Sequence, residues 1–306
     1  MSLISRLHHV LQGTHENQYD GTIMEFEDPE VKKYLVANIG GEDGITNPEF
    51  GVEGVKGIAG EVTYEQVLAC KRVDFEGNQN IRRFNELEYF KNLTEVRFRE
   101  SSVEEVSLPY MTISEGSNFF ICRRLKKLTT KYGLKIDFGW SMFSNCTSLQ
   151  PLNTSKWNLS NLVYSFYMFD GCRSLQSLGD TSGWNLSNVI KAGAMFRDCT
   201  SLVSIDLSDK LENCENYAYI YKGCVNLESL VGNHTETDNV RLFIGRSKNI
   251  NISGLPRLNL ATVNAIIRGV GSSPDKKLTL TLPEPVRSQV TEEYRKILES
   301  KNWELA

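Results

Sequence analysis

Trp157 to Leu175 reads WNLSNLVYSFYMFDGCRSL, and Trp184 to Leu202 reads WNLSNVIKAGAMFRDCTSL. Ten of the nineteen positions are identical with no gap. The register extends outward from this pair. Cys122, Cys146, Cys172, Cys199 and Cys224 stand 24, 26, 27 and 25 residues apart. Each is followed three residues later by leucine (Leu125, Leu149, Leu175, Leu202, Leu227), and three further on by Leu128, Leu152, Leu178, Ile205 or Leu230. The preceding copy keeps Met142, Phe143, Cys146 and Leu149 but has Lys131 in the tryptophan position. The following copy keeps Asn213, Cys224 and Leu227, with Ile220 and Tyr221 replacing Met-Phe. Upstream, Leu93–Phe98 (LTEVRF) and Val103–Leu108 (VEEVSL) alternate as short strands do.

A unit of about 25 residues cannot bury its own apolar face, so such units stack and share a continuous core. The Leu-x-x-Leu/Ile step marks a strand, and Met-Phe fills the opposite wall. Asn161, Asn188 and Asn213 recur at one place and are expected to satisfy turn backbone groups. Seven cysteines without a CxxC pair exclude a zinc knuckle. The evenly spaced five read as small buried thiols. Stacking also brings equivalent Cα atoms near the ~4.4–6.8 Å of a disulfide, so an oxidised pair stays open as an alternative.

The WNLSN[LV] block followed by Met-Phe-x-x-Cys-x-Ser-Leu resembles the BspA-like leucine-rich repeat family. Members of that family typically read W-D-[TV]-S-N-V-T-N-M-x-x-M-F-x-x-C-x-S-L. The resemblance runs from about residue 75 to 257 and is strongest over 119–230. It implies an α/β repeat fold, a right-handed leucine-rich-repeat solenoid used for adhesion, found on bacterial surfaces and in phage particles. Cys214 in an apolar position and the loss of Met-Phe after Phe196 depart from the pattern.

The flanks suggest a small helical N-terminal region and a strand–helix C-terminal cap. The expected division is 1–18, an amphipathic helix; 19–74, a helical cap; 75–257, the repeats; and 258–306, the terminal cap. Leu3, Leu7, Val10 and Leu11 fall at helical spacing and form a candidate assembly or anchor helix. The alternative is a helix folded back on its own domain. Met1–Val10 lacks the apolar region of a secretory signal. Ile23–Asn38 resembles the lead-in of Bacteroides-type members, and Asp28-Pro29 is a sound helix start. In those relatives an EF-hand-like or dockerin-like loop follows. Here the first and twelfth loop positions would be Ile39 and Phe50, or Val55 and Gln66, which lack the carboxylates calcium needs. Toward the other end, Leu278–Leu282 alternates as a strand, Pro283 and Pro285 stop it, and Thr291 opens a helix carrying Tyr294, Ile297 and Leu298.

The chain has 306 residues, 34 Lys+Arg against 38 Asp+Glu, and a net charge of −4. That balance argues against a broad nucleic-acid surface. No run approaches the ~20 apolar residues of a membrane helix, so no membrane insertion is expected. Phosphate-loop, nucleophile-elbow and zinc-protease motifs are missing from the sequence, and the only histidine downstream of the cysteines is His234. No enzyme, cofactor or metal is therefore expected. Binding carries the remaining signal. Tyr164 aligns with Lys191, an exposed register. Tyr217, Tyr219 and Tyr221 would share a face in an extended stretch, though Tyr221 stands in the core Phe register. Tyr164, Lys191, Tyr217 and Tyr219 are the candidate binding residues, and the partner a virion neighbour or a host or cell-surface protein or glycan. Self-association into a homo-oligomer is left open. The leading expectation is a phage virion protein in the tail or on the capsid, serving host or subunit attachment. The alternative is a bacterial cell-surface adhesin.

Overall fold

The computed structural model describes residues 22–39, 50, 52, 55, 57–205, 207, 210–211, 213–216, 218–228, 250–253 and 255–306. The proposed anchor helix, residues 40–49 and His234 lie outside these residues.

Asp28 begins α1 (Pro29–Asn38), its side chain accepting from the Glu30 amide at 3.0 Å with proline in the first turn. Its other carboxylate oxygen accepts from the amides of Arg82 and Arg83 at 2.6 and 3.0 Å. One side chain thus caps a helix and covers the open edge of the first repeat. A capping box of Thr63 and Gln66 starts α2 (Tyr64–Ala69).

Three parallel walls follow. β1 (Arg72–Asp74) pairs with β3 (Glu95–Arg97). β2 (Arg83–Phe84) pairs with β4 (Glu105–Ser107), which pairs with β6 (Lys127–Thr129). β5 (Thr112–Ile113) pairs with β7 (Lys135–Ile136). Partners such as Val73 and Val96, or Val106 and Leu128, are 23 and 22 residues apart, so each coil visits every wall and lies on the previous coil. The two upstream alternating segments are β3 and β4, successive sides of one coil.

Beyond Ile136 the described repeat residues carry single bridges, Lys135 to Asn158 and Tyr164 to Lys191 to Asn216, and not the strand expected at each Leu-x-x-Leu/Ile step. No α-helix occurs among the described residues of 90–228, so the helical part of the expected α/β repeat is confined to the flanks. The backbone explains both departures. Gly77, Glu100, Ile121, Asn145, Gly171, Asp198 and Gly223 all have φ between 57° and 80°. From Ile121 onward each immediately precedes a ladder cysteine. Four residues earlier a second left-handed series runs through Ser117, Ser141, Tyr167, Ala194 and Tyr219, with φ of 52–63°. A left-handed residue every fourth position prevents helix, and the Met-Phe wall becomes consecutive tight turns closed by bonds such as Cys146 N to Phe143 O at 3.0 Å.

Inside, Phe75, Phe98, Phe119, Phe143, Phe169 and Phe196 stack with centroids 5.3–5.6 Å apart, and Tyr221 continues the column at 6.2 Å. Tyr34 of α1 closes its other end at 4.0 Å from Phe75. The thiols form a parallel column. Cys122, Cys146, Cys172, Cys199 and Cys224 each donate to the carbonyl of Phe98, Phe119, Phe143, Phe169 and Phe196 one coil back, at 2.7–3.1 Å. Those carbonyls also accept an amide from their own coil, so both lone pairs are used. All seven cysteines are free and buried, which sets aside the oxidised pair in this structure. The amides of Asn188 and Asn213 donate to Ser160 O and Ser187 O at 2.6 and 2.7 Å, tying each turn to the coil before.

The terminal segment holds β8 (Ile250–Asn251), α3 (Leu260–Gly269), β9 (Leu278–Thr281), α4 (Glu284–Arg287), α5 (Glu292–Ser300) and β10 (Trp303–Leu305). Its parallel sheet has the order β10-β9-β8. Leu278 and Leu280 face inward, and Trp303 is buried with its indole donating to Gly271 O at 2.8 Å. The Asn259 amide donates to Glu228 O at 2.9 Å, joining this segment to the coil that ends the described repeats. One apolar cluster runs from Met24 to Trp303.

Candidate functional site

On the first coils the outward residues are charged and matched. Arg72 meets Asp74 and Glu95 at 2.8 and 3.5 Å, and Arg97 meets Glu95 and Glu115 at 2.7 and 3.0 Å. Farther along the stack the outer surface turns aromatic. Tyr164 bridges Lys191 in adjacent coils, and the Lys191 ammonium sits 5.8 Å from the Tyr164 ring centroid. Tyr164 is 36% exposed. These two expected binding residues are therefore together and outward.

Tyr219 is 65% exposed with Lys222 5.1 Å from its ring centroid, whereas Tyr221 is 6% exposed and stacked on Phe196. Their shared face, expected for an extended stretch, does not form, because Tyr219 adopts φ 61° and turns the chain. Tyr217 lies outside the described residues, as do Leu3, Leu7, Val10 and Leu11.

Further residues complete the surface. Trp140, 50% exposed, lies 6.3 Å from Phe138 and 6.4 Å from Phe166. Phe138 meets Tyr164 at 5.9 Å, and Phe166 meets Tyr167 at 6.0 Å. Trp140 escaped sequence reading because the residue at its position varies from copy to copy. The available signal was its alignment with Phe166, a register where the two closest copies differ (Phe166 and Gly193). Arg197 lies over Tyr167 at 5.1 Å and donates twice to Asp170, at 2.7 and 2.8 Å. The Asp170 side chain is 6% exposed, and its hydrogen bonds to Arg197 raise the pKa of that guanidinium further. The surface is thus an outward aromatic bed with fixed cations at its margin.

Among the described residues no group of three or more His, Cys, Asp or Glu is arranged to hold a metal, and no helix is long and apolar enough to cross a membrane. Burial pushes the Cys70, Cys122 and Cys224 thiols up to about 12 and those of Cys146, Cys172 and Cys199 well above the ordinary value, so none is poised as a nucleophile.

No curated protein sequence matches the chain. Among solved structures, the chain is similar to a plant peptide hormone receptor, RGFR1, in complex with RGF2, at 16% identity and a TM-score of 0.26. That match covers 74% of this chain and 40% of the receptor chain. It is also similar to an internalin, inlF, from Listeria monocytogenes, at 14% identity and a TM-score of 0.22, covering 92% of this chain and 91% of that one. Residues 134–234 match a family model described as Mycoplasma protein of unknown function, DUF285. Residues 65–176 match six copies of the model described as BspA type leucine rich repeat region. Over residues 65–176 the chain thus carries leucine-rich repeats of the BspA type.

Proposed function

We propose that this chain is a non-enzymatic protein-binding module whose BspA-type repeats, wound as a right-handed solenoid, are displayed on a biological surface. The observation that carries the reading is the outward row of Trp140, Tyr164 and Lys191 on successive coils, where a core needs no aromatic residue. Exposed Trp, Tyr and cationic groups on a rigid scaffold are the composition of recognition surfaces. Two sites of display fit: a phage particle, on tail or capsid, or a bacterial envelope, as an adhesin. Mass spectrometry of purified phage particles and of envelopes from the source of the gene, with immunogold labelling, tests this. Label on particles selects the virion form, and label on the envelope selects the adhesin. Label confined to the cell interior overturns display.

A further inference from the structure

The aromatic bed has features that narrow what it holds. Its rings lie down on neighbouring coils because glycines leave room for them. A Cβ at Gly193 would stand 2.5 Å from Phe166 Cε1, and one at Gly116 would strike the Trp140 carbonyl and approach the Phe138 ring at 3.1 Å. In the outer left-handed series the other coils use Ser117, Ser141 and Ala194, but two use Tyr167 and Tyr219. That backbone region is disfavoured for any L-residue and most of all for a large one, and neither ring joins the core column. Stability does not account for them.

Charge gives the second constraint. Asp137 is held by Lys135 at 3.1 Å, and Asp170 by Arg197. Asp198 also lies 3.9 Å from Arg197. Lys191 and Lys222 have no carboxylate partner within ion-pair distance among the described residues; each faces only a tyrosine ring. The bed therefore presents rings plus uncompensated cations. A sugar chain would need accessible carboxylates or amides beside the rings to take its hydroxyls, but Arg197 holds both oxygens of Asp170, and of Asp137 one oxygen is held by Lys135 and the other is buried.

Resting on the binding-module reading, we propose that the surface formed by Phe138, Trp140, Tyr164 and Phe166, with Lys191 at its margin and the Tyr219–Lys222 pair two coils beyond Tyr167, docks an acidic peptide segment of a protein partner. Aromatic side chains of that segment lie on the ring bed, and its carboxylates meet the two lysines.

Trp140 makes the test direct. The other tryptophans, Trp157, Trp184 and Trp303, are buried, so acrylamide quenching of tryptophan emission in the full chain reports on Trp140. The probes are a random glutamate–tyrosine copolymer, polylysine and polygalacturonate. The copolymer should protect Trp140 from the quencher, and high salt should weaken that protection. A Lys191→Glu/Lys222→Glu double variant, changed only at exposed positions, should lose about tenfold in copolymer affinity. Retained far-ultraviolet dichroism verifies its fold. Protection by polylysine or polygalacturonate without the copolymer, protection by none of the three, or equal copolymer binding by the double variant each overturns the proposal. Surface label with no copolymer binding removes this inference alone. Interior label with copolymer binding removes only the display reading.

Discussion

At single residues, the recurring left-handed position, which from Ile121 onward precedes each ladder cysteine, decides how well a coil closes. Gly77, Gly171 and Gly223 meet it with glycine, but Glu100 occupies it at φ 57° with an exposed side chain. An L-residue other than Asn or Asp pays about 1–2 kcal/mol in that region, against about 0.5–1 kcal/mol of extra chain entropy for glycine. Glu100→Gly should therefore stabilise the protein by roughly 0.5 kcal/mol, read as a higher urea midpoint. Gly171→Ala should do the reverse by about 1–2 kcal/mol, since its Cβ would meet Asn145 Oδ1 at 2.9 Å as well as adopting φ 70°. The thiols give a pH dependence. Cys70, Cys122 and Cys224 are raised from 9.0 to about 12 by burial, and Tyr34 from 10.0 to about 12. The unfolded chain releases these protons first, so the stability they carry is complete below pH about 9 and is lost as the pH rises toward 12. Urea midpoints across that window should fall, and a thiol reagent at neutral pH should label native protein only as fast as it unfolds.

Elements are held at their ends by neighbouring elements. Asp28 caps α1 and takes two amides at the edge of β2, so Asp28→Ala strands three donors at once. Loss of the cap costs about 1 kcal/mol and the orphaned edge amides about 1–3 kcal/mol more. Denaturation should show a total loss of about 2–4 kcal/mol, and Asp28→Asn, which keeps an acceptor, should lose clearly less. Asp28's capping role was legible, because Asp-Pro before an apolar run is a local signal. Its second role was not, because Arg82 lies 54 residues away. The same division holds elsewhere. Thr291 and the Leu278–Leu282 alternation announced α5 and β9 from local pattern. Spacing of the cysteines announced the stack, since identical spacing forces identical environments. The left-handed series went unread because it is filled by Gly, Glu, Ile, Asn and Asp alike, so no residue type marks it. At the binding surface Tyr164 and Lys191 were found by aligning copies, whereas Trp140 and Phe138 required knowing which coil lies beside which.

At the scale of the molecule, the phenylalanine column is the feature that couples distant coils. Along the column each ring stacks on the ring before and after it, as in a one-dimensional array with nearest-neighbour terms, and Trp157 packs beside Phe143 and Phe169. Yet the apolar cluster is continuous from Met24 to Trp303, so the intact protein should open as one unit. Native-state hydrogen exchange reads this directly, through the amides of Phe119, Phe143, Phe169 and Phe196, which bond to the next coil at 2.8–2.9 Å. In the unaltered chain these amides should share one exchange free energy. Phe169→Ala removes a fully buried ring from the middle of the column, at a cost of about 3–5 kcal/mol. The two flanking stacks then lose their common neighbour. The Phe119 amide should stay with the N-terminal coils anchored by α1, while the Phe196 amide and those of β9 should exchange at a lower free energy as a second group. If all four amides in Phe169→Ala instead drop together by the full amount, the column does not transmit stability coil by coil. The terminal segments would then be locked to the repeats through the wider apolar core rather than through the rings.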